Sequence, residues 1–308
     1  MPHLNPSTRF TSKLLVAASL LVSSTIVIAP AQADSLRNAT IGGTAASDYL
    51  IYDSNATNTF LNPSASLQTI LGGNAANPTG NVELASSSEK AGFDFTKNTT
   101  LDGTIGGRAI SISSLTASDW SSSYQGTTFG QHWFNSALNA NGLSGMVGTT
   151  NGTTLFNIFK NNGGFQRFSD PNISYVSQDA SNIINIGLAG HYDASSLFTK
   201  SIDQYVDSTA LSNSQKRMMA DLKNQLSGKM IQASEVVKTT YEGKTNYGFS
   251  FTATRSGLVE RGDQLSHTGN YVISLQGIEP VKKKVPEPSI VLGLITLGGL
   301  ATRKLRRR

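Results

Sequence analysis

The sequence predicts an α+β fold: antiparallel strands from the N- and C-terminal parts of the mature chain, with a central helical region between them. Three observations carry this. Apolar residues alternate at Ile184, Ile186 and Leu188 and again at Tyr271, Ile273 and Leu275, the period of a half-buried strand. They recur at three- and four-residue spacing at Met218, Met219, Leu222 and Leu226, the stripe of an amphipathic helix. Strand signals gather toward both ends and helix signals in the middle, an order that favours segregated α+β over alternating βαβ units.

Taken in order, residues 34–48 have no apolar period and are expected to be flexible. A short helix is expected over 64–71, and Ile110 and Ile112 mark a brief strand. Residues 128–141 place Trp133, Phe134, Ala137 and Leu138 on one helical side, with Gly142 as the stop. Residues 153–162 do the same with Leu155, Phe156 and Phe159 ahead of Gly163. The helix over 212–227 ends at Gly228. Val237 to Tyr241, a turn at Glu242-Gly243-Lys244, and a second strand alternating Tyr247, Phe249 and Phe251 read as a hairpin. The region around 277–288 again lacks a period and is expected to be flexible, and no internal repeat is visible.

Composition narrows the class. A chain of 308 residues, 15% charged and without cysteine, is neither collagen-like, coiled-coil nor disulfide-knotted, and is long enough for one large or two small domains. The net charge of +5 is unevenly divided: residues 1–33 carry +2 and residues 282–308 carry +7. Residues 34–281 hold 15 Lys/Arg against 19 Asp/Glu, a charge of −4. Such a body has no electrostatic reason to bind nucleic acid, whose affinity comes largely from phosphate neutralisation.

Both ends read as addresses. Arg9 and Lys13 precede an apolar stretch and then Ala31-Gln32-Ala33, the basic, apolar and small-x-small parts of a secretory signal peptide. Cleavage by signal peptidase is expected after Ala33, leaving Asp34 first. At the other end a basic spacer (Lys282, Lys283, Lys284) leads to Val285-Pro286-Glu287-Pro288, a 12-residue apolar run over 290–301 and a basic cluster over 303–308. As a helix that run is ~18 Å long, short against a ~30 Å hydrocarbon core. The basic end would stay on the cytoplasmic side, so the segment reads as a transient hold in the inner membrane. This organisation divides the chain into a signal peptide (1–33), one body (34–280) and a tail (281–308).

The tail resembles the PEP-CTERM sorting signal, in its cyanobacterial form: Pro286, Glu287 and Pro288, the short apolar run and the Arg/Lys end stand in the family's order. The resemblance implies recognition of Pro286-Glu287-Pro288 by an exosortase, cleavage nearby, and release to the surface or into exopolysaccharide. The body resembles an uncharacterised family of cyanobacterial PEP-CTERM surface proteins through Phe168-Ser169-Asp170-Pro171-Asn172-Ile173-Ser174-Tyr175, Ser256-Gly257-Leu258-Val259-Glu260 and His267-Thr268-Gly269-Asn270-Tyr271. No activity attaches to that resemblance.

Residues that could carry chemistry are sparse. His132, His191 and His267 are the histidines of the body, and His191 with Asp193 lacks the third donor that a metal site needs; no cofactor motif is present. Gly142-Leu143-Ser144-Gly145-Met146 misses the last glycine of a nucleophile elbow and reads as a helix end. Asp53-Ser54-Asn55-Ala56-Thr57-Asn58 starts like a calcium loop but lacks its turn glycine and closing Glu, so a polar loop is expected. Arg261-Gly262-Asp263 matches an adhesion tripeptide of the sort chance produces. Asp170, Asp193, Glu235 and Glu260 are the carboxylates that could pair for glycosidase chemistry.

Three function classes follow. The leading one is an exported, non-catalytic surface or extracellular-matrix protein, sorted by an exosortase and associated with exopolysaccharide. The second is a secreted hydrolase of polysaccharide or peptide. The third is a ligand-binding surface protein, ice included, although only isolated Thr-x-Thr pairs occur, at Thr57 and Thr59 and at Thr252 and Thr254. Three carboxylates converging in one deep cleft would favour the hydrolase, and a smooth surface the matrix role.

Overall fold

Strands enter first. The computed structural model describes residues 34–281; Ala31, Ala33, Pro286, Glu287, Pro288 and the apolar run over 290–301 lie outside the described residues. The N-terminal part forms β1 (Asp34–Ser35), β2 (Arg37–Gly43), β3 (Tyr49–Ser54), β4 (Asn58–Leu61), a single helical turn α1 (Leu67–Ile70), β5 (Gly80–Leu84), β6 (Thr99–Ile105) and β7 (Arg108–Ser113). A helical stretch follows: α2 (Ala117–Ser121), the small ribbon β8 (Ser123–Tyr124) and β9 (Thr127–Thr128), α3 (Phe129–Ala140), α4 (Thr150–Asn161) and α5 (Gly164–Arg167). Then come β10 (Asn172–Gln178), β11 (Ile183–Gly190), α6 (Ser195–Ser208) and α7 (Asn213–Leu226). The last part is β12 (Val237–Tyr241), β13 (Lys244–Gly248), β14 (Ala253–Arg255), β15 (Val259–Glu260) and β16 (Gly269–Gln276).

The class is α+β, as the periodicity implied. A nine-stranded sheet runs β14-β16-β11-β10-β5-β3-β4-β15 with β1 also on β10, and a five-stranded sheet runs β13-β12-β7-β6-β2. All pairings are antiparallel except β15 with β4. The two sheets share one core: Leu101, Ile105, Ile110 and Ile112 of the smaller sheet meet Val82, Val176, Ile186 and Ile273 of the larger. Burial of apolar side chains at strand period is what holds such a sandwich together. Where Tyr175 crosses Gly187, a Cβ on the glycine would lie 2.1 Å from the tyrosine ring, so the register of β10 on β11 requires glycine there.

The helices build a second core, rich in aromatics. Trp133 lies 4.7 Å from Phe168 and 5.8 Å from Phe159 between ring centroids, and Trp120 stacks on Phe165 at 4.4 Å. Thr128, Thr149 and Ser212 cap α3, α4 and α7 by accepting from the backbone N–H three residues on, and Gly142, Gly163 and Gly228 follow the helices with φ of +70°, +75° and +71°.

Several expectations need correction. Residues 34–48 are not flexible coil: Leu36 is 1% exposed, its N–H donates to Val176 O, and β2 pairs with β6. β2 is an edge strand with most side chains exposed, so it shows no apolar alternation. Residues 277–281, also expected to be flexible, are tied: Gln178 Nε2 donates to Ile278 O at 2.7 Å, and Val281 N to Gly106 O at 2.8 Å. The hairpin after Tyr241 forms, with Glu242 and Gly243 both at positive φ (50° and 72°), but its second strand stops at Gly248. Phe249 and Phe251 leave the sheet to pack on Phe129 and Trp133. The helix expected over 64–71 is four residues long, and α4 starts at Thr150, ahead of the expected 153. The helical region is split in two by the β10–β11 hairpin.

No helix among the described residues is long and apolar enough to cross a membrane.

A carboxyl-lined cleft as candidate functional site

The segment Phe168 to Asn172 joins the two cores. Phe168 fills the aromatic core, and Trp120 Nε1 donates to Ser169 Oγ at 2.7 Å. Phe168 O and Pro171 O accept from Val236 N and Leu84 N. This connection turns Asp170 and Asn172 into a cleft of about 480 Å³, within the range of small-molecule sites. The cleft floor is the outer face of the large sheet. Val82 and Leu84 fill the sandwich core, so the alternation of β5 sends Glu83 to the other face, directly opposite Asn172 of β10. Glu235 enters from the residue before Val236, and the walls come from Arg167, Ala194, Leu197, Lys200 and the loops over 86–90 and 260–267.

Three carboxyl groups from three separate segments therefore face one cavity: Glu83, Asp170 and Glu235. Burial disfavours charge on each. It raises Glu235 to about 8, with the charge of Glu83 adding to the effect. It raises Glu83 to about 7, against the Tyr52 hydrogen bond and the charge of Lys90. Asp170 is pushed well above the usual carboxylate range by burial and by its two acidic neighbours, although the Ser88 hydroxyl donates to its Oδ2. None of the six ion pairs among the described residues includes any of the three; Arg167 at the rim pairs instead with Glu89 at 3.2 Å.

Two residues that line this cleft each bury an acceptor atom with no partner among the described residues: Glu235 Oε2 and Asn172 Oδ1. Native proteins rarely leave such atoms unsatisfied, because each costs about 1–3 kcal/mol.

The remaining candidates sort cleanly. Glu260 lines the cleft wall and caps its own loop, its Oε2 accepting from Gly262 N and Asp263 N. Asp193 does not join the carboxylates: its Oδ1 accepts from Ser195 N and Ile231 N. His191 lines the cleft, and burial lowers its pKa against the pull of Asp263, Glu89 and Asp193. His267, beside the cleft, is lowered to about 4 by burial; its Nδ1 lies 2.7 Å from Thr59 Oγ1. Thr59 is 1% and His267 4% exposed, so this hydroxyl–imidazole pair is buried at the cleft wall. His132 lies elsewhere, against Tyr124. Ser144 opens a short 3-10 turn after α3. The Asp53 loop satisfies itself, Asn55 Oδ1 accepting from Thr57 N and Asn58 N. In Arg261-Gly262-Asp263 the guanidinium stacks on Phe60, and the carboxylate accepts from Leu265 N and Ser266 N. No group of three or more His, Asp or Glu among the described residues could hold a metal ion.

Glu83 and Asn172 are the site residues that sequence reading missed, and Glu83 is the acid among them. Its signal is an acidic residue amid the apolar run Val82-Glu83-Leu84, but its partners become visible only through the β5–β10 register.

Fold and cleft define an α+β sandwich with an aromatic helical layer and an acid-lined cavity between them. No family model, curated protein or solved structure matches the chain.

Proposed function

We propose that this is an exported surface or extracellular-matrix protein whose body recognises a small hydroxylated ligand, such as a unit of envelope glycan, in the carboxyl-lined cleft. The observation that carries the recognition role is that two residues lining one cavity, Glu235 and Asn172, each hold a buried, unpartnered oxygen, Oε2 and Oδ1. A ligand that donates hydrogen bonds to both removes a cost the free protein bears.

The address rests on the terminal segments: the signal peptide ending at Ala33, and the tail with Pro286-Glu287-Pro288 that an exosortase would recognise after transient insertion in the inner membrane. Its architecture is compatible with that route. Asp34 pairs with Gln178 and Ile278 is bonded by Gln178, so both ends of the described chain sit at one end of β10. Asn172 and the cleft sit at the other end, about 20 Å away at strand rise.

The test is a glycan panel screened against the purified protein and against Glu235→Gln. Binding that the substitution abolishes supports the reading; binding indifferent to it moves the ligand site elsewhere.

A second reading, an exported acid–base hydrolase, is favoured by the convergence of three carboxyl groups in one cleft, the arrangement expected of a hydrolase, with Glu235 raised to about 8 as the acid and Glu83, at about 7, as the group that ionises first. Release of reducing ends from a bound glycan, lost in Glu235→Gln, would select it over recognition without turnover.

A further inference from the structure

The cleft is unbalanced in two respects. It holds three buried acids, Glu83, Asp170 and Glu235, without an ion-paired partner, while Glu260 and Asp263 are bonded within their own loop, and Glu235 Oε2 and Asn172 Oδ1 are unpartnered. A ligand hydroxyl would satisfy one acceptor, yet it would leave Glu83, Asp170 and Glu235 to remain uncharged. A metal ion is disfavoured, since no cluster among the described residues has the donor arrangement to hold one. An ammonium group answers both deficits: it carries a positive charge, offers three donors and accepts nothing.

Resting on the reading of the cleft as a ligand site, we infer that its ligand is a sugar bearing a free primary amine, the ammonium seated among Glu235, Glu83 and Asn172. Asn172 lines the cavity and is 9% exposed, and its Oδ1 is buried without a partner. Glu235 Oε2 lies across the end of β11: a Cβ placed on Gly190 would come within 3.5 Å of it. The sugar character follows from the wall. Tyr52, Ser86 and Ser266 line the cavity; their hydroxyls donate to Glu83, Asp48 and Asp263, which leaves their lone pairs to accept from ring hydroxyls. The volume suits one or two sugar rings.

Charged groups around the ammonium position come from every side. Lys90 and Glu89 lie on the loop after β5, Arg167 at the end of α5 and Lys200 on α6. His191 follows β11, and Glu260, Asp263 and His267 lie on the loop before β16. The cations stand at the rim: Lys90 and Lys200 are exposed, and Arg167 is engaged by Glu89.

The test compares two probes on the purified protein at pH 7 by titration calorimetry: the trimer of glucosamine, with free amines, and the trimer of N-acetylglucosamine, in which each amine is capped and uncharged. The glucosamine trimer should bind about tenfold or more tightly than its acetylated counterpart. Glu235→Gln, which keeps shape and removes charge, should erase that preference. Asn172→Ala, checked for native circular dichroism, should weaken binding of the amine and serves if the first variant fails to fold. Equal or tighter binding of the acetylated trimer overturns the ammonium and leaves the cleft as a glycan site. Binding of neither trimer also overturns the ammonium. An amine preference that survives both substitutions overturns the ammonium seat and the cleft reading together.

Discussion

Asp119 of α2 and Lys238 of β12 meet at 2.8 Å, on the seam where the helical layer abuts the five-stranded sheet. The same carboxylate accepts from the Tyr247 hydroxyl at 2.8 Å and, in the capping box of α2, from Thr116 N at 2.9 Å. Residues 119, 238 and 247 come from three elements, so one buried side chain fastens the helices to the sheet.

Substitution at this seam should loosen the two cores from each other. The Asp119 side chain is 7% exposed and that of Lys238 35%, so the pair is only partly screened. Asp119→Ala should cost about 3 kcal/mol, since it strands Lys238 and Tyr247 and removes the cap. Lys238→Met should cost about 1–2 kcal/mol, because three other donors remain. Burial opposes ionisation of Asp119, but the bonds from Lys238, Thr116 and Tyr247 win and hold its carboxyl below the usual range. A lowered folded-state pKa gives stability that is present above the unfolded value near 4 and lost as pH falls through the folded one. Urea unfolding at pH 6 and pH 3 should therefore show the Asp119→Asn penalty shrinking in acid.

The cleft acids should act in the opposite direction. Their folded-state values lie above those of the unfolded chain, so their contribution is complete below about pH 4 and is lost as pH rises toward 7 for Glu83 and 8 for Glu235. Glu235→Gln removes the charge that must otherwise be buried. It should raise the melting temperature at pH 8.5, by an amount worth about 4 kcal/mol, and change little at pH 4.5. Thermal scans at the two pH values check this, and a Gln variant less stable at pH 8.5 would contradict it.

How much of this was legible in the sequence depends on where each residue points. β11 and β16 alternate large apolar side chains with small or polar ones, and so announced themselves by period. α3 and α7 carry a stripe and a glycine stop. β2 was silent because an edge strand with little buried surface has no period to read. α6 was silent because only Phe198, Ser201 and Ile202 of its 14 residues are buried. Tyr247, Phe249 and Phe251 alternate because all three serve the aromatic core, a demand that continues after the strand has ended. Of the site, Asp170 and Glu235 could be nominated as acids, but their meeting with Glu83 depends on strand register and on the Phe168–Val236 bond. Neither is written in local spacing.

Gln178 should prove to be the clamp of the body's two ends. It is 1% exposed, pairs with Asp34 across β1 and β10, and bonds Ile278 O. Gln178→Leu should cost about 1–3 kcal/mol by stranding that carbonyl. Hydrogen exchange at the amides of Gly277, Ile278 and Val281 should speed up well before the rest of the sheet. Unchanged protection there would show that the segment is held by other means.

For the sorting proposal, Glu287→Ala or deletion of residues 303–308 should leave the protein in the membrane fraction, while residues 34–281 keep their fold. Mass spectrometry of the released wild-type protein should find Asp34 at its N-terminus and no residues from 290–308. A released form that retains the apolar run would replace sorting with simple anchorage.

The most direct measurement is a carbon-13 titration of the glutamate side-chain carboxyls in the purified protein, with Glu83 and Glu235 assigned through their Gln variants. If the cleft stores unionised acids that await a ligand, Glu235 should titrate near pH 8 and Glu83 near pH 7, both well above the other glutamates. Both titrating near pH 4 would mean that water or a protein cation already meets their charge, and the cleft would lose its claim to be the working site.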